Sequence, residues 1–347
     1  MKTSTADLTV ILPNHNHAKY LPEALGALLR QTVPPKKIII IDDASTDNSV
    51  EVINGIISGK TTVDISLICN TTNLGVNAVC NQGLSLVTTK YVFFPAADDV
   101  CHEQIFAKSM ALLLQYPQAG FCSTLSYVID ENSQIIGESY VPLIKTEPCF
   151  IQPQECRQIF RRYGSWILGH TRIFRTACLQ EKHGFDEKLL SLSDLFTSII
   201  IAGKNGACFI PELLAKYRYS VQSYSCKSSI DPIKVKQMLA IARDNFINQG
   251  DIFTKQDINI ALDRWLLTFI LSILRAGGAD ALTKALSIIP ESRVRLRQLL
   301  VILQRANLLR QPVVFEVILY LAVRPYDVYR RAVRYCYRPW LNKKSII

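Results

Sequence analysis

Residues 37–57 read KIIIIDDASTDNSVEVINGII. Four consecutive isoleucines form a strand with no polar face, and such a strand belongs inside a sheet covered on both sides. The run stops at Asp42 and Asp43, and a polar cluster turns the chain. Val50, Ile53, Ile56 and Ile57 then follow at helical spacing, with Ser or Asp available as N-cap. The same strand–turn–helix unit lies on either side. "LTVIL" (8–12) precedes a helix from about Leu21, with Pro22 suited to its first turn and Leu25, Leu28 and Leu29 on one face. "VDISLIC" (63–69) precedes a helix over 75–87, and "YVFF" (91–94) is a fourth strand. This alternation predicts a mostly parallel, Rossmann-like α/β sheet with helices on both faces. In such sheets, ligands sit beyond the carboxyl ends of the strands.

Those ends carry the polar residues of this half. Asn14, His15 and Asn16 follow the first strand; Asp42, Asp43, Ser45 and Asp47 the second; Asn70 and Asn73 the third; Asp98 and Asp99 the fourth. Each group alone is ordinary turn and cap chemistry. Four on one rim point to a binding edge. The pair closing "FFPAADD" (93–99) admits two readings. It caps the next helix, or it holds Mg²⁺ or Mn²⁺, which take one or two carboxylates together with substrate phosphates. Basic residues are scarce on this rim, so a cation would fill a need.

Further along, helix is expected over 102–116, strand over 120–129, irregular chain over 135–150 and helix around 153–162. "SWILGHTRIFR" (165–175) reads as strand-like, 192–203 as helix, and "GACFIPELLAKYR" (206–218) as a return strand. From about 232 the pattern is almost wholly helical. Charge divides at the same place: residues 1–231 hold 20 Lys/Arg against 21 Asp/Glu, residues 232–347 hold 19 against 8. Expected domains are therefore 1–228, with halves 1–100 and 101–228, and a basic helical domain 229–347. The ten cysteines are scattered with no C-x-x-C pair, which argues for free thiols in a reducing cytosol and against structural zinc. No secretory leader is expected. No apolar run reaches membrane-spanning length; "WLLTFILSIL" (265–274) is too short and "VVFEVILYLAV" (313–323) carries Glu316.

"LTVILPNHNHAKYLPEALGALLRQT", "IIIIDDASTDNS", "NTTNLGVNAVCNQGL" and "YVFFPAADD", in this order and spacing, resemble the nucleotide-binding half of family 2 glycosyltransferases of the GT-A fold, over roughly residues 6–225. The resemblance implies that Pro13, Asn14, His15 and Asn16 line the base and ribose pocket. Asp43 would accept from the uracil N–H with Asp42 in support, and Asn73, Gly75 and Asn81 would shape the loop and helix beside the donor. Cys80 stands where the family often has Arg. The family's D-x-D motif, often "DADD", is "AADD" here; Asp99 would ligate the metal, with Asp98 near the ribose and Ala96 in place of the first carboxylate. "HGFDEKLLSLSD" (183–194) resembles the stretch that supplies the acceptor-side base, which implies Asp194, with Ser193 where Glu is frequent. His170 and Arg172 would line the acceptor site. Arg264-Trp265 is similar to the end of the Q-x-x-R-W motif of processive synthases, but Ala261 replaces its Gln and no spans follow, so one sugar per encounter is expected.

The expected activity is inverting transfer of one sugar from a nucleotide-sugar, a UDP-sugar by the resemblance, to a saccharide or lipid-linked acceptor. Mn²⁺ or Mg²⁺ would be the cofactor. Two alternatives stay open: an inactive nucleotide-binding scaffold of the same fold, and a sugar nucleotidyltransferase, although "PNHNHAKYL" lacks a Gly-rich basic phosphate loop. The expected location is the cytoplasm. The basic helices, with "RPYDVYRRAVRYCYRPWLNKK" (324–344), suit a packed helical domain, a homodimer interface or the anionic inner face of the plasma membrane. No motif supports nucleic acid binding.

Overall fold

The computed structural model describes residues 5–59, 62–139, 141–220, 223–278, 280–306, 317–319 and 321. The segments 313–323, in large part, and 324–344, singled out above, lie outside them. Two compact units emerge: Met1–Ser223 with Gln249–Phe253, and Tyr224–Asn248 with Thr254–Ile347.

The first unit opens with β1 (Ala6–Asn14), α1 (Leu21–Leu29), β2 (Pro35–Asp43), α2 (Ser49–Ile57), β3 (Asp64–Asn70), α3 (Val76–Ser85) and β4 (Tyr91–Phe93). It continues through β5 (Val100–Cys101), α4 (Ile105–Gln115), β6 (Phe121–Ile129), β7 (Ile135–Glu138), β8 (Cys149–Ile151) and α5 (Pro153–Tyr163). It closes with β9 (Ile173–Arg175), α6 (Thr176–Gln180), α7 (Ser193–Asn205) and β10 (Ala207–Arg218). The strands form one sheet in the order β3-β2-β1-β4-β9-β6-β10-β5, with β7 on β6 and β8 on β10. Isoleucines 38–41 are at most 1% exposed, so both sheet faces are covered as their run requires.

Strands β3, β2, β1 and β4 are mutually parallel. The chain steps outward from β1 to β3 and then crosses to β4 on the other side, which opens a switch point above β1. β9 runs antiparallel to both β4 and β6, and β6 runs parallel to β10. β9 therefore begins level with the end of β4 and beside Cys122, near the start of β6; the chain just before Ile173 lies along the farther parts of β6 and β10, where His170 meets Ser126 and Tyr217.

Two stretches differ from expectation. Only the last three residues of 165–175 are strand; the remainder is a loop and a 3₁₀ turn at Gly169–Thr171, entered from Gly164 at φ 81°. The 135–150 stretch is not irregular throughout, since β7 and β8 form at its ends. Ile135 and Ile136 are both exposed, so β7 lacks the alternation that marks a strand.

The second unit is helical: α8 (Tyr224–Ser229), α9 (Pro232–Ile247), α10 (Lys255–Ala276), α11 (Ala281–Ile288) and α12 (Val294–Arg305). Asp231 caps α9, and Thr254 with Asp257 forms a capping box on α10. Arg297 donates to the carbonyls of Leu286 and Ile289, both at 2.8 Å, and so satisfies the end of α11. Trp265 is buried and stacked on Phe246 with ring centroids 5.8 Å apart, which makes it core of this unit. Among the described residues no helix is long and apolar enough to cross a membrane.

Candidate functional site

The rim is built by loops that brace one another. Asn14 and Asp42 are register partners at the ends of β1 and β2, and Asn14 Nδ2 donates to Asp42 Oδ1 at 2.7 Å. Asp42 also accepts from the Ser45 hydroxyl (2.6 Å) and amide (3.0 Å), which closes the turn. Asn14 is 2% exposed, and its Oδ1 is buried without a hydrogen-bond partner. Asn16 sits at φ 59°, and its Oδ1 accepts from the amides of Thr46 and Asp47. Asp47 in turn accepts from the amides of Ala18 and Ser49. Burial works to raise the Asp47 carboxyl, but hydrogen bonds from Ser49 and Ala18 outweigh it and hold the group below its usual value. His15 Nδ1 donates to the Asp43 carbonyl at 2.8 Å, which fixes its tautomer. Pro13, half-buried, belongs to β1 one residue earlier.

The structure gives Asp43 and Asn81 partners that the sequence does not suggest. Both Asp43 oxygens face the loop after β3: Oδ1 accepts from Asn70 Nδ2 (2.9 Å) and Leu74 N (3.0 Å), and Oδ2 from Leu74 N (3.1 Å) and Gly75 N (2.8 Å). A carboxylate so placed shapes the loop that carries exposed Asn73, and Gly75 takes φ 87° there. Asn81 points toward the acceptor half. It donates to the Phe185 carbonyl (2.9 Å) and accepts from the Phe185 amide (2.8 Å). One turn earlier, Asn77 donates to the Leu190 carbonyl (2.9 Å). Gly184 permits this docking, because a Cβ on it would lie 2.2 Å from Asn81 Oδ1.

In the loop between β4 and β5, Asp99 is 5% exposed and the Asp98 side chain 20%. Burial first, and then the neighbouring Asp98 charge, push the Asp99 carboxyl well above the usual range. Arg218, at the end of β10, braces the pair. Its amide donates to Asp99 Oδ1 (2.8 Å) and its Nε to the Asp98 carbonyl (2.9 Å). His17 Nε2 lies 3.9 Å from Asp98 Oδ2, and its buried Nδ1 has no partner. Two adjacent carboxylates, one of them buried and resisting ionisation, suit a divalent cation that completes its shell with phosphate and water oxygens. Among the described residues no group of three or more His, Cys, Asp or Glu side chains is arranged to hold a metal by itself. A cation on this pair would take its remaining ligands from substrate or water.

Asp194 lies in the first turn of α7. Its side chain is 45% exposed, while that of its partner Arg172 is 4% exposed. Arg172 Nη2 meets Asp194 Oδ2 at 2.5 Å, Nη1 meets the Asp194 carbonyl at 2.6 Å and also Ser198 Oγ, and Nε meets the Gly169 carbonyl at 3.0 Å. Arg172 is thus not an open lining residue as the resemblance implied; buried and bonded inward, it anchors Asp194. Gly169 allows the approach, since a Cβ there would sit 2.8 Å from Asp194 Oδ2. His170 is half-buried, stacked on Tyr217 at 5.2 Å and bonded to Ser126 Oγ at 2.8 Å. Burial, with the Arg172 charge beside it, holds its imidazole down to about 3, so it is neutral. Burial and the Asp194 charge push the Cys80 thiol up to about 12, against the opposing pull of Arg172, which places Cys80 beside this pair and keeps it inert. Arg218, His17, Asn77, Gly169 and Gly184 were not singled out from the sequence. Only the glycine in "HGFDE" offers a local signal.

A crossover sheet with carboxylates and amides converging on one rim, followed by helices, defines a GT-A fold with a helical C-terminal region. Residues 9–175, just under half of the chain, match the family model "Glycosyl transferase family 2". The amylovoran biosynthesis glycosyltransferase AmsB of Erwinia amylovora is 23% identical over 259 residues, covering 73% of this chain and 83% of AmsB. Three uncharacterised glycosyltransferases from Escherichia coli, Haemophilus influenzae and Nostoc are 33%, 33% and 31% identical, but the chain spans only 33%, 42% and 40% of their lengths. Residues 1–349 of S. aureus TarS, in complex with UDP-GlcNAc, superpose with TM-score 0.61 at 17% identity, over 94% of this chain and 92% of that one. The Pyrobaculum calidifontis mannosyltransferase PcManGT, in complex with GDP-Man and Mn²⁺, gives 0.56 at 17% identity over 94% and 88%.

Proposed function

We propose that the protein is an inverting glycosyltransferase that moves one sugar from a nucleotide-sugar to a hydroxyl of a saccharide or lipid-linked saccharide during polysaccharide assembly. The observation that carries this reading is the placement of three groups toward one edge of the sheet: Asn14 at the end of β1, the Asp98–Asp99 pair in the loop after β4, and the half-exposed Asp194 carboxylate, held by Arg172 just ahead of antiparallel β9. UDP is the donor nucleotide of choice. The TarS complex holds UDP-GlcNAc. Asp43 and Gly75 shape the loop beside the base, and Asn16 ties the first loop to the second. Asp98 and Asp99 would hold Mn²⁺ or Mg²⁺, which when bound offsets negative charge on the departing diphosphate.

Asp194 takes the proton of the acceptor hydroxyl as that oxygen attacks the anomeric carbon from the face opposite the diphosphate. Arg172 fixes the carboxylate through Oδ2 and through the Asp194 carbonyl, so the group is oriented before substrate arrives. Neutral His170, on Tyr217, offers the acceptor a hydrogen-bonding edge that carries no charge. The domains proposed are a transferase domain over 1–228 and a helical domain over 229–347, the latter with its excess of Lys and Arg suited to an anionic membrane face.

Asp194→Asn tests the base. Turnover with UDP-sugars should fall by about 10²–10⁴-fold with nucleotide affinity unchanged. Near-normal turnover in the folded variant would remove Asp194 from this role.

A further inference from the structure

Arg218 is a buried side chain bonded in several directions beside the Asp98–Asp99 pair. It is 2% exposed, and every polar group of its guanidinium has a partner. Nε donates to the Asp98 carbonyl, Nη1 to the Asp130 carbonyl at 2.7 Å, and Nη2 to Glu23 Oε2 at 2.8 Å and Ser133 Oγ at 3.0 Å. The guanidinium also lies 4.3 Å from the centre of the Tyr20 ring. One side chain thereby ties together the loop between β4 and β5, the entry to α1 and the turn between β6 and β7. Its own amide reaches Asp99 Oδ1.

These contacts are more than packing. The Asp98 carbonyl and the Asp99 carboxylate are gripped by two atoms of one residue, so the peptide between the two acidic residues cannot rotate without breaking one of them. Lysine would bring the charge but not the planar fork that meets three directions at once.

We infer that Arg218 is the positioning residue of the Asp98–Asp99 pair: it sets the orientation in which the two carboxylates meet a metal–diphosphate. The inference rests on the functional reading above. Groups that orient metal-binding carboxylates, without touching the metal, typically govern affinity by about 10–100-fold.

The test is calorimetric titration of UDP into the full-length protein with and without Mn²⁺, for wild type, Arg218→Lys and Glu23→Gln, with thermal unfolding measured alongside. Arg218→Lys should weaken Mn²⁺–UDP binding by about tenfold or more, while metal-free UDP binding, which depends on the Asn14 side of the rim, stays within twofold of wild type. Glu23→Gln keeps Arg218 and should retain most of the Mn²⁺ effect even where it lowers the melting temperature. If Arg218→Lys weakens both titrations equally, in step with lost stability, or weakens neither, Arg218 is structural and the inference falls. If wild type itself gains nothing from Mn²⁺, the functional reading falls first and takes the inference with it.

Discussion

At the scale of single residues, the rim separates groups that are spent from groups that are open. Asp42 and Asp43 are buried at 2% and 4% and are consumed by the turns they close, whereas the Asp194 carboxylate, bonded to Arg172 and to the Leu195 amide, keeps 45% of its side chain exposed. His170 provides a pH test. Its folded-state value, about 3, lies below the ordinary histidine value near 6.5. The unfolded chain therefore binds a proton that the folded one refuses. Stability is full above about 6.5 and declines as pH falls toward 3. Denaturant titrations across that window should show wild type losing more stability than His170→Gln; parallel curves would contradict the buried, neutral imidazole. Gly184 provides a steric test. At φ 81°, with Asn81 Oδ1 in the place of a Cβ, Gly184→Ala should cost about 1–3 kcal/mol, read from urea midpoints.

At the scale of elements, α3 joins the two halves of the first unit. Asn77 and Asn81 stand one turn apart on it and hold the backbone at Leu190 and Phe185, the segment that leads into α7 and Asp194. Asn81→Ala should lower kcat by about tenfold, the scale of one or two buried hydrogen bonds, and leave the Kd for UDP unchanged. A changed Kd with unchanged kcat would return Asn81 to the nucleotide. This element also shows what was legible in the sequence. The isoleucine run of β2 and the leucine spacing of α1 report burial and period directly, so the parallel half and its polar strand ends could be read at once. The partners of Asn81, Asp43 and Arg172 could not, because an Asn, Asp or Arg looks alike whether it faces ligand or a backbone more than twenty residues away. The antiparallel strands β7 and β9 are too short for periodicity to register. Arg218 lies in a strand correctly expected, but its meaning comes from contacts 85 to 195 positions distant.

At the scale of the whole molecule, charge is unevenly placed: residues 232–347 hold 19 Lys/Arg against 8 Asp/Glu. If this half meets an anionic lipid face, sedimentation with vesicles containing phosphatidylglycerol should be strong at low ionic strength and largely lost near 1 M salt, where screening reaches about 3 Å. Retention at high salt, or with neutral vesicles alone, would contradict an electrostatic contact. The central claim, however, concerns the first unit, where buried Asp99 and adjacent Asp98 are proposed to hold a cation. The most direct measurement is UDP binding by calorimetry with and without Mn²⁺, in wild type and Asp99→Ala. Binding that strengthens with Mn²⁺ in wild type, and loses that gain in the variant, is the predicted result. Binding indifferent to both the metal and the substitution would contradict the claim that Asp98 and Asp99 hold a metal against a diphosphate.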